Sequence, residues 1–444
     1  MRRSWHVSSR LMSWGKRVLL AAVALGLAVS TLGLVRPGTG EAASSSATPL
    51  RVMVWGGQPE IETYTRMIDA FRKAYPDIPV RLEPTTWGEY FNKLQVQILA
   101  GNAPDIVLLN GAFIRDLAEQ TALTDLNPFI QQNKFPLDNY WETHDILRVN
   151  GKMYALPLAG DVAALYYNRS AFDSAGIATP TANWKWDDLR EAARKLTVRT
   201  GDVTKRYGVI WDIGGNGQSS YINFLLQNGV RVLNETHTRS LLGTEPAVEA
   251  IQYWTDIILR DGSAPRPNVL SGVSQAFLDE KAAMAYHLVP LPINLFQQAR
   301  FDWDIAPMPI GPKQRASEVN FLGFGMTAGS RQKDKAWELL SFLVGEESQT
   351  IFASLRQNLP ALKAALTVPA FADPRKPPRG LLPTLQVTMP RTYDLQFTKG
   401  WTEWTNLMGA TMSRISQGQV AVESGLREIA EKIDTVLRRV NPAK

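Results

Sequence analysis

Apolar residues alternate along the chain between strand-length runs and helix-length stripes. Leu50-Arg-Val-Met-Val-Trp55 is a β-branched, apolar run that predicts a buried strand. From Pro59, the positions Ile61, Tyr64, Ile68, Phe71 and Tyr75 fall three and four apart until Pro76, which predicts an amphipathic helix. Val80 to Glu83 reads as a second strand. Trp87, Tyr90, Leu94 and Ile98 stripe a second helix that Gly101 can end, and Asp105-Ile-Val-Leu-Leu109 is a third strand. Strand, helix, strand, helix, strand at these lengths predicts parallel pairing with right-handed crossovers, hence an α/β layer structure.

Beyond Gly151 the pattern continues without repeating in sequence. Helices are expected near Asp187 to Leu196, Tyr221 to Gln227, Ala247 to Leu259, Lys335 to Val344 and, at the end, along Val422, Leu426, Ile429, Ile433, Val436 and Val440. Strands are expected at Tyr207 to Trp211, Ala282 to Tyr286 and Asp304 to Met308, and the Pro-rich segment Val368 to Pro383 reads as a loop or strap. A second α/β lobe is implied.

The N-terminus carries a different signal. Basic residues up to Arg17 precede the uncharged run Val18 to Val35, and small residues follow at about Ala42 to Ser46. Residues 1–43 therefore read as a secretory signal peptide and 44–49 as a spacer, with an uncleaved membrane anchor as the alternative. Of 48 basic and 42 acidic residues, six bases and one acid lie in that leader. The rest is nearly neutral, which argues against a nucleic-acid surface. The chain has no cysteine. Disulfides, thiolate metal sites, cysteine nucleophiles and lipid attachment at a leader cysteine are thereby excluded. An exported protein, periplasmic or extracellular, is expected.

Little catalytic chemistry is spelled out. His6, His144, His237 and His287 are not paired at metal-ligand spacing. The zinc-protease, nucleophile-elbow, phosphate-loop and dinucleotide motifs are missing, and Gly323-Phe-Gly325 with Gly329 has the wrong spacing for a nucleotide loop. No Asp-x-Asp-x-Asp-Gly calcium loop is present, so no metal or cofactor is expected. A secreted glycoside hydrolase, which needs only two carboxylates, stays open.

Aromatic residues are more telling. Trp55 closes the first strand, Trp87 opens the second helix, and Trp211 ends a strand before a Gly-rich loop. Ligands of open α/β sheets bind beyond the carboxyl ends of strands, where a flat ring can stack on a sugar face while neighbouring polar groups bind its hydroxyls. Trp254 and Trp337, in phase with aliphatic residues, are assigned to the core.

Gly151-Lys-Met-Tyr-Ala-Leu-Pro157 followed by Ala164-Leu-Tyr-Tyr-Asn168 resembles the signature of extracellular solute-binding proteins of the sugar-importer type, the maltodextrin-binding relatives. Ala103-Pro-Asp105, Trp184-Lys-Trp-Asp-Asp-Leu189, Phe277-Leu-Asp-Glu-Lys-Ala-Ala-Met284 and Gly323 to Ser330 with Ala336-Trp-Glu-Leu-Leu340 follow in the family's order. The resemblance implies a type II periplasmic-binding-protein fold, with mostly parallel sheets, flanking helices and two lobes joined by several chain crossings. By resemblance the crossings fall near Asn168, Ala306 and Pro360, giving one lobe from 50–168 with 306–360 and another from 169–305 with 361–444. It also implies hinge closure on a carbohydrate, an ABC permease and its ATPase as partners, a monomer, and no catalytic group in this chain.

Carried over residue by residue, the resemblance points to Trp55, Gln58 and Glu60 in the first strand-to-helix loop, Trp87 in the second, Asn110 after the third strand and Asp161 just before the signature strand. Tyr221 follows the Gly214-Gly-Asn-Gly217 loop, and Trp211, Gly323 and Phe324 complete the expected ligand set. Relatives commonly show a Gly and a Trp platform after the strand that ends near Met284. Here stands Tyr286-His-Leu-Val-Pro-Leu-Pro292, so Tyr286 or His287 is expected to replace it. The cleft loops carry few basic residues, which favours a neutral mono- or oligosaccharide; a polyol or glycerophosphodiester is the alternative, and Arg391 is the one late base of interest.

Overall fold

The computed structural model describes residues 48–441 apart from 214–216, 291–292 and 357. The expected leader, 1–43, lies outside the described residues, as does most of the spacer. Among the described residues no helix is long and apolar enough to cross a membrane.

The first crossover unit follows the pattern of its residues. The strands Leu50–Trp55, Val80–Thr85 and Ile106–Asn110 pair in parallel, with the first in the middle. The helices Gln58–Ala74 and Trp87–Leu99 connect them, burying Tyr64, Met67, Ile68 and Phe71 from the one and Tyr90 and Leu94 from the other. The buried Tyr90 hydroxyl donates to the Leu108 carbonyl at 2.8 Å and lies 3.1 Å from the Met53 carbonyl. A phenol buried without such a partner would cost free energy, so this bond fixes the second helix on the sheet.

The organising element is the strand Leu156–Asn168, whose 13 residues are all buried. It runs antiparallel to Ala282–Val289, Trp303–Ala306, Ser317–Met326 and Leu359–Pro360. The strand Val203–Ile210 then adds to Ala282–Val289 in parallel. Parallel pairing thus holds within the crossover units, whereas the middle of the sheet is antiparallel. Strands that return to Leu156–Asn168 from elsewhere in the chain need no helical crossover beside them, so nothing forces them to run parallel.

Two apolar clusters flank this strand. Val162, Ala164 and Tyr166 join one, while Ala163, Leu165 and Tyr167 join the other. A strand turns successive side chains to opposite faces, and thirteen apolar-rich residues in a row therefore serve two cores at once. The first cluster contains Val52, Leu108, Phe324 and Leu340; the second contains Trp186, Trp254, Trp404 and, from the final helix Val422–Val440, Leu426, Ile429 and Ile433. Phe277, Phe296, Trp303, Leu381 and Leu385 pack with the first cluster although the sequence reading assigned their segments to the second lobe.

The expected loop at 368–383 gives way to the helix Leu381–Thr388. Its entry is pinned where Gly380 N–H donates to Asp304 Oδ1 at 2.8 Å. Asn168 ends the long strand by accepting from Ala171 N–H at 2.9 Å, capping the helix Arg169–Ala175.

Candidate functional site

At the carboxyl end of the first crossover unit, the expected residues Trp55 and Trp87 come together. Their rings meet edge to face at 5.1 Å, and Trp55 also meets Tyr90 at 4.7 Å. Phe91 stacks on Phe113, and Trp87 meets Phe113 at 5.9 Å. Tyr90 and Phe91 hold these indoles from below, leaving Trp87 51 % exposed. Gln58 is exposed and Glu60 half-buried in the first turn of the neighbouring helix. Gly56 makes the turn into that helix at φ +155°, and a Cβ there would lie 2.6 Å from Glu60 Cβ. Only glycine fits.

A second group sits where Val203–Ile210 and Ala282–Val289 end. Trp211, Asp212, Ser219, Arg266, Asn268 and His287 line a cleft of about 580 Å³. His287 Nε2 lies 2.9 Å from Ser274 Oγ, and Nδ1 lies 3.3 Å from the Leu288 carbonyl. Nδ1–H donating to the carbonyl leaves Nε2 to accept from the serine hydroxyl. Burial lowers the imidazole's proton affinity below its ordinary value, favouring that neutral form. Trp211 is 3 % exposed, and its indole N–H is unpartnered among the described residues.

A third group lies along the sheet. Asn110 pairs in register with Leu322, and Asp161 with Asn320, so alternation puts Asn110, Asp161, Glu318 and Asn320 on one face. Asp161 accepts from Gln218 Nε2 at 2.8 Å, and burial raises its carboxyl to about 7. Burial, reinforced by the Asp161 carboxyl, holds Glu318 well above the usual carboxylate range. The Oδ1 atoms of Asn110 and Asn320 have no hydrogen-bond partner among the described residues, and a hydrogen bond from Gln218 offsets part of the shift at Glu318. Sequence reasoning missed Glu318, Asn320 and Gln218; Glu318 and Asn320 stand as polar residues inside an otherwise apolar strand, whereas Gln218 lies in a polar Gly/Ser stretch that gives no such signal.

The remaining expected residues are placed away from these walls. Tyr221 packs against Trp254 with ring centroids 5.7 Å apart, and Tyr286 stacks on Phe224 at 5.5 Å; neither has exposed surface. Both belong to the second core, so Tyr286 does not supply the substitute platform. Phe324 faces the first core at 6.1 Å from Tyr64. Gly323 lies against backbone, where a Cβ would come 2.6 Å from the Leu156 carbonyl. Residues 214–216 of the Gly-rich loop lie outside the described residues, as do Leu291 and Pro292. Arg391 is exposed, and its guanidinium donates to the Val387 carbonyl at 3.2 Å. Among the described residues no group of three or more metal-ligating side chains gathers.

Residues 56–350 match the family model for bacterial extracellular solute-binding proteins, and the chain belongs to that family. The maltodextrin-binding protein MdxE of Bacillus subtilis is 24 % identical over 68 % of this chain and 72 % of its own. An ABC substrate-binding protein of Listeria monocytogenes, solved in complex with cycloalternan, superposes with a TM-score of 0.76 at 26 % identity, covering 88 % of this chain and 98 % of that one. The sugar-binding protein MalE of Xanthomonas citri does so with a TM-score of 0.78 at 19 % identity, covering 88 % and 98 %. The fold is the two-lobed α/β architecture of periplasmic binding proteins.

Proposed function

We propose that this chain captures a neutral mono- or oligosaccharide between two lobes and delivers it to a membrane permease whose ATPase drives import. The observation that carries the reading is the half-exposed Trp87 ring, seated edge-on against Trp55 where the parallel strands end. An apolar plane at that place stacks on the C–H face of a pyranose, while Gln58, Glu60, Asn110 and Asp161 on nearby loops and strands bind hydroxyls. A relative named for maltodextrin and a structural neighbour solved in complex with cycloalternan support the ligand class.

The lobes are taken as 50–168 with 306–360 and 169–305 with 361–444. All three supposed crossings touch one strand, since Asn168 pairs with Trp303, Ala306 with Leu165 and Pro360 with Ala159. Closure about that strand needs no bond made or broken, so no catalytic group is assigned. Residues 1–43 export the chain to the periplasm or cell exterior, where it acts as a monomer without cofactor.

Calorimetry and thermal-shift screening across maltose, maltotriose, other sugars, polyols and glycerophosphodiesters test the reading, because a ligand of the native state raises the melting temperature. A stabilising sugar is expected. Stabilisation by none of them would overturn it, and turnover of chromogenic glycosides would replace it with a hydrolase.

A further inference from the structure

Arg391, the late base of interest in the sequence, has no part in the sugar walls. The short strand Thr392–Tyr393 pairs in parallel with the start of Ser317–Met326, Thr392 lying opposite Ser317. That register carries Arg391 to the level of Ala316, beside Arg315 on the neighbouring segment. Burial, with the Arg391 charge added to it, lowers the proton affinity of Arg315 below its ordinary value. Both guanidiniums stay charged all the same, because arginine does not deprotonate in proteins.

The backbone holds Arg315 in place. It is half-buried, and it donates through Nη1 to the Met308 carbonyl at 3.0 Å and through Nη2 to the Ala182 carbonyl. Arg391 is exposed and donates to the Val387 carbonyl at 3.2 Å. Each fork has five N–H donors, so most remain open.

No acid compensates the pair. Among the described residues neither guanidinium forms an ion pair, and no acidic group acts on Arg315. Asp394, three residues beyond Arg391, is held by Arg231. Glu318, three beyond Arg315, is wholly buried. Lys313, exposed on the same loop as Arg315, adds a further positive charge. Elsewhere the chain pairs its arginines, Arg51 with Glu83, Arg190 with Asp261 and Arg379 with Asp302. Two like charges held side by side and partly desolvated cost free energy that an anion between them recovers. A carboxylate has two oxygens and one charge, enough for one fork. A phosphate group has the oxygens and the charge for both.

We propose that Arg315 and Arg391 form a binding site for a phosphate group, one guanidinium on each side of it. Neither residue lines the cleft at Trp211 and His287, so the site is separate from sugar capture. Inorganic phosphate and the phosphate headgroup of a membrane lipid share this chemistry.

Titration calorimetry with inorganic phosphate, in chloride buffer at constant ionic strength, reads the free ion. One site is expected. Arg391→Gln should raise its Kd about tenfold, as the loss of one charge-assisted contact does. Its melting temperature in chloride should stay close to wild type, because Arg391 is exposed. Arg391→Glu supplies the missing anion from within the chain. It should melt at or above the wild-type temperature in chloride and gain nothing from phosphate. Co-sedimentation with vesicles of equal parts phosphatidylglycerol and phosphatidylcholine reads the lipid.

Heat with inorganic phosphate that Arg391→Gln weakens supports the site and names the free ion. Vesicle retention that Arg391→Gln abolishes supports it and names the headgroup. Phosphate also stabilises proteins as an excluded salt, so an equal rise in melting temperature for wild type and both variants overturns the site. Absence of both heat and retention in the wild type does the same, and that measurement decides even if the variants fail to fold.

Discussion

Trp87 leaves half its surface in solvent, so little of the folding free energy depends on it. Trp87→Ala should weaken sugar binding by about tenfold, the equivalent of ~1.4 kcal/mol of stacking, with a melting temperature close to wild type. Calorimetry with parallel melts checks both. Trp55→Ala should lose binding and stability together, because Trp55 also meets Tyr90 and Phe91. His287 gives a pH prediction of definite sign. Its folded proton affinity is depressed by burial, so below about pH 6.5 the unfolded chain binds the extra proton and stability is lost as pH falls. His287→Gln should flatten that part of a melting series from pH 7.5 to 5. The contrast between Trp87 and Tyr286 shows what sequence can say at this scale. Trp87 opens a helix beyond a strand end, a position readable from the pattern, whereas Tyr286 sits within a strand where the pleat alone decides between cleft and core. That phase depends on partners distant in the chain.

Among the elements, the helix Trp186–Leu196 and the strand Val203–Ile210 approach unusually closely. A Cβ on Gly208 would lie 1.9 Å from the Ala193 carbonyl oxygen. Gly208→Ala should therefore force the two apart and destabilise the protein by ~1–3 kcal/mol, seen as a lower midpoint in urea unfolding at unchanged slope. Helices carried by a long apolar stripe were legible in advance: Tyr221–Gln227 and Val422–Val440 fall where the spacing puts them. The antiparallel middle of the sheet was not. Leu156–Asn168 reads as a buried run whichever way its neighbours point, and strand direction is fixed by residues more than a hundred positions away, such as Ala285 opposite Tyr166. Glu318 escaped notice for a related reason, since nothing local marks it as lying two residues beyond Asp161's partner.

At the scale of the whole molecule, two apolar clusters sharing one strand make relative motion cheap where few side chains bridge them and costly elsewhere. Small-angle scattering should show a smaller radius of gyration when maltotriose is added. At a free ligand concentration a hundred times Kd the folded state should gain about 2.7 kcal/mol. An unchanged radius with that stabilisation would mean binding without closure. The second cluster also has a temporal consequence. It draws on residues as early as Ala112 and as late as Leu437. A nascent chain released only to residue 400 lacks every apolar contact that the final helix contributes. This half cannot reach its native packing until the helix Val422–Val440 has been made.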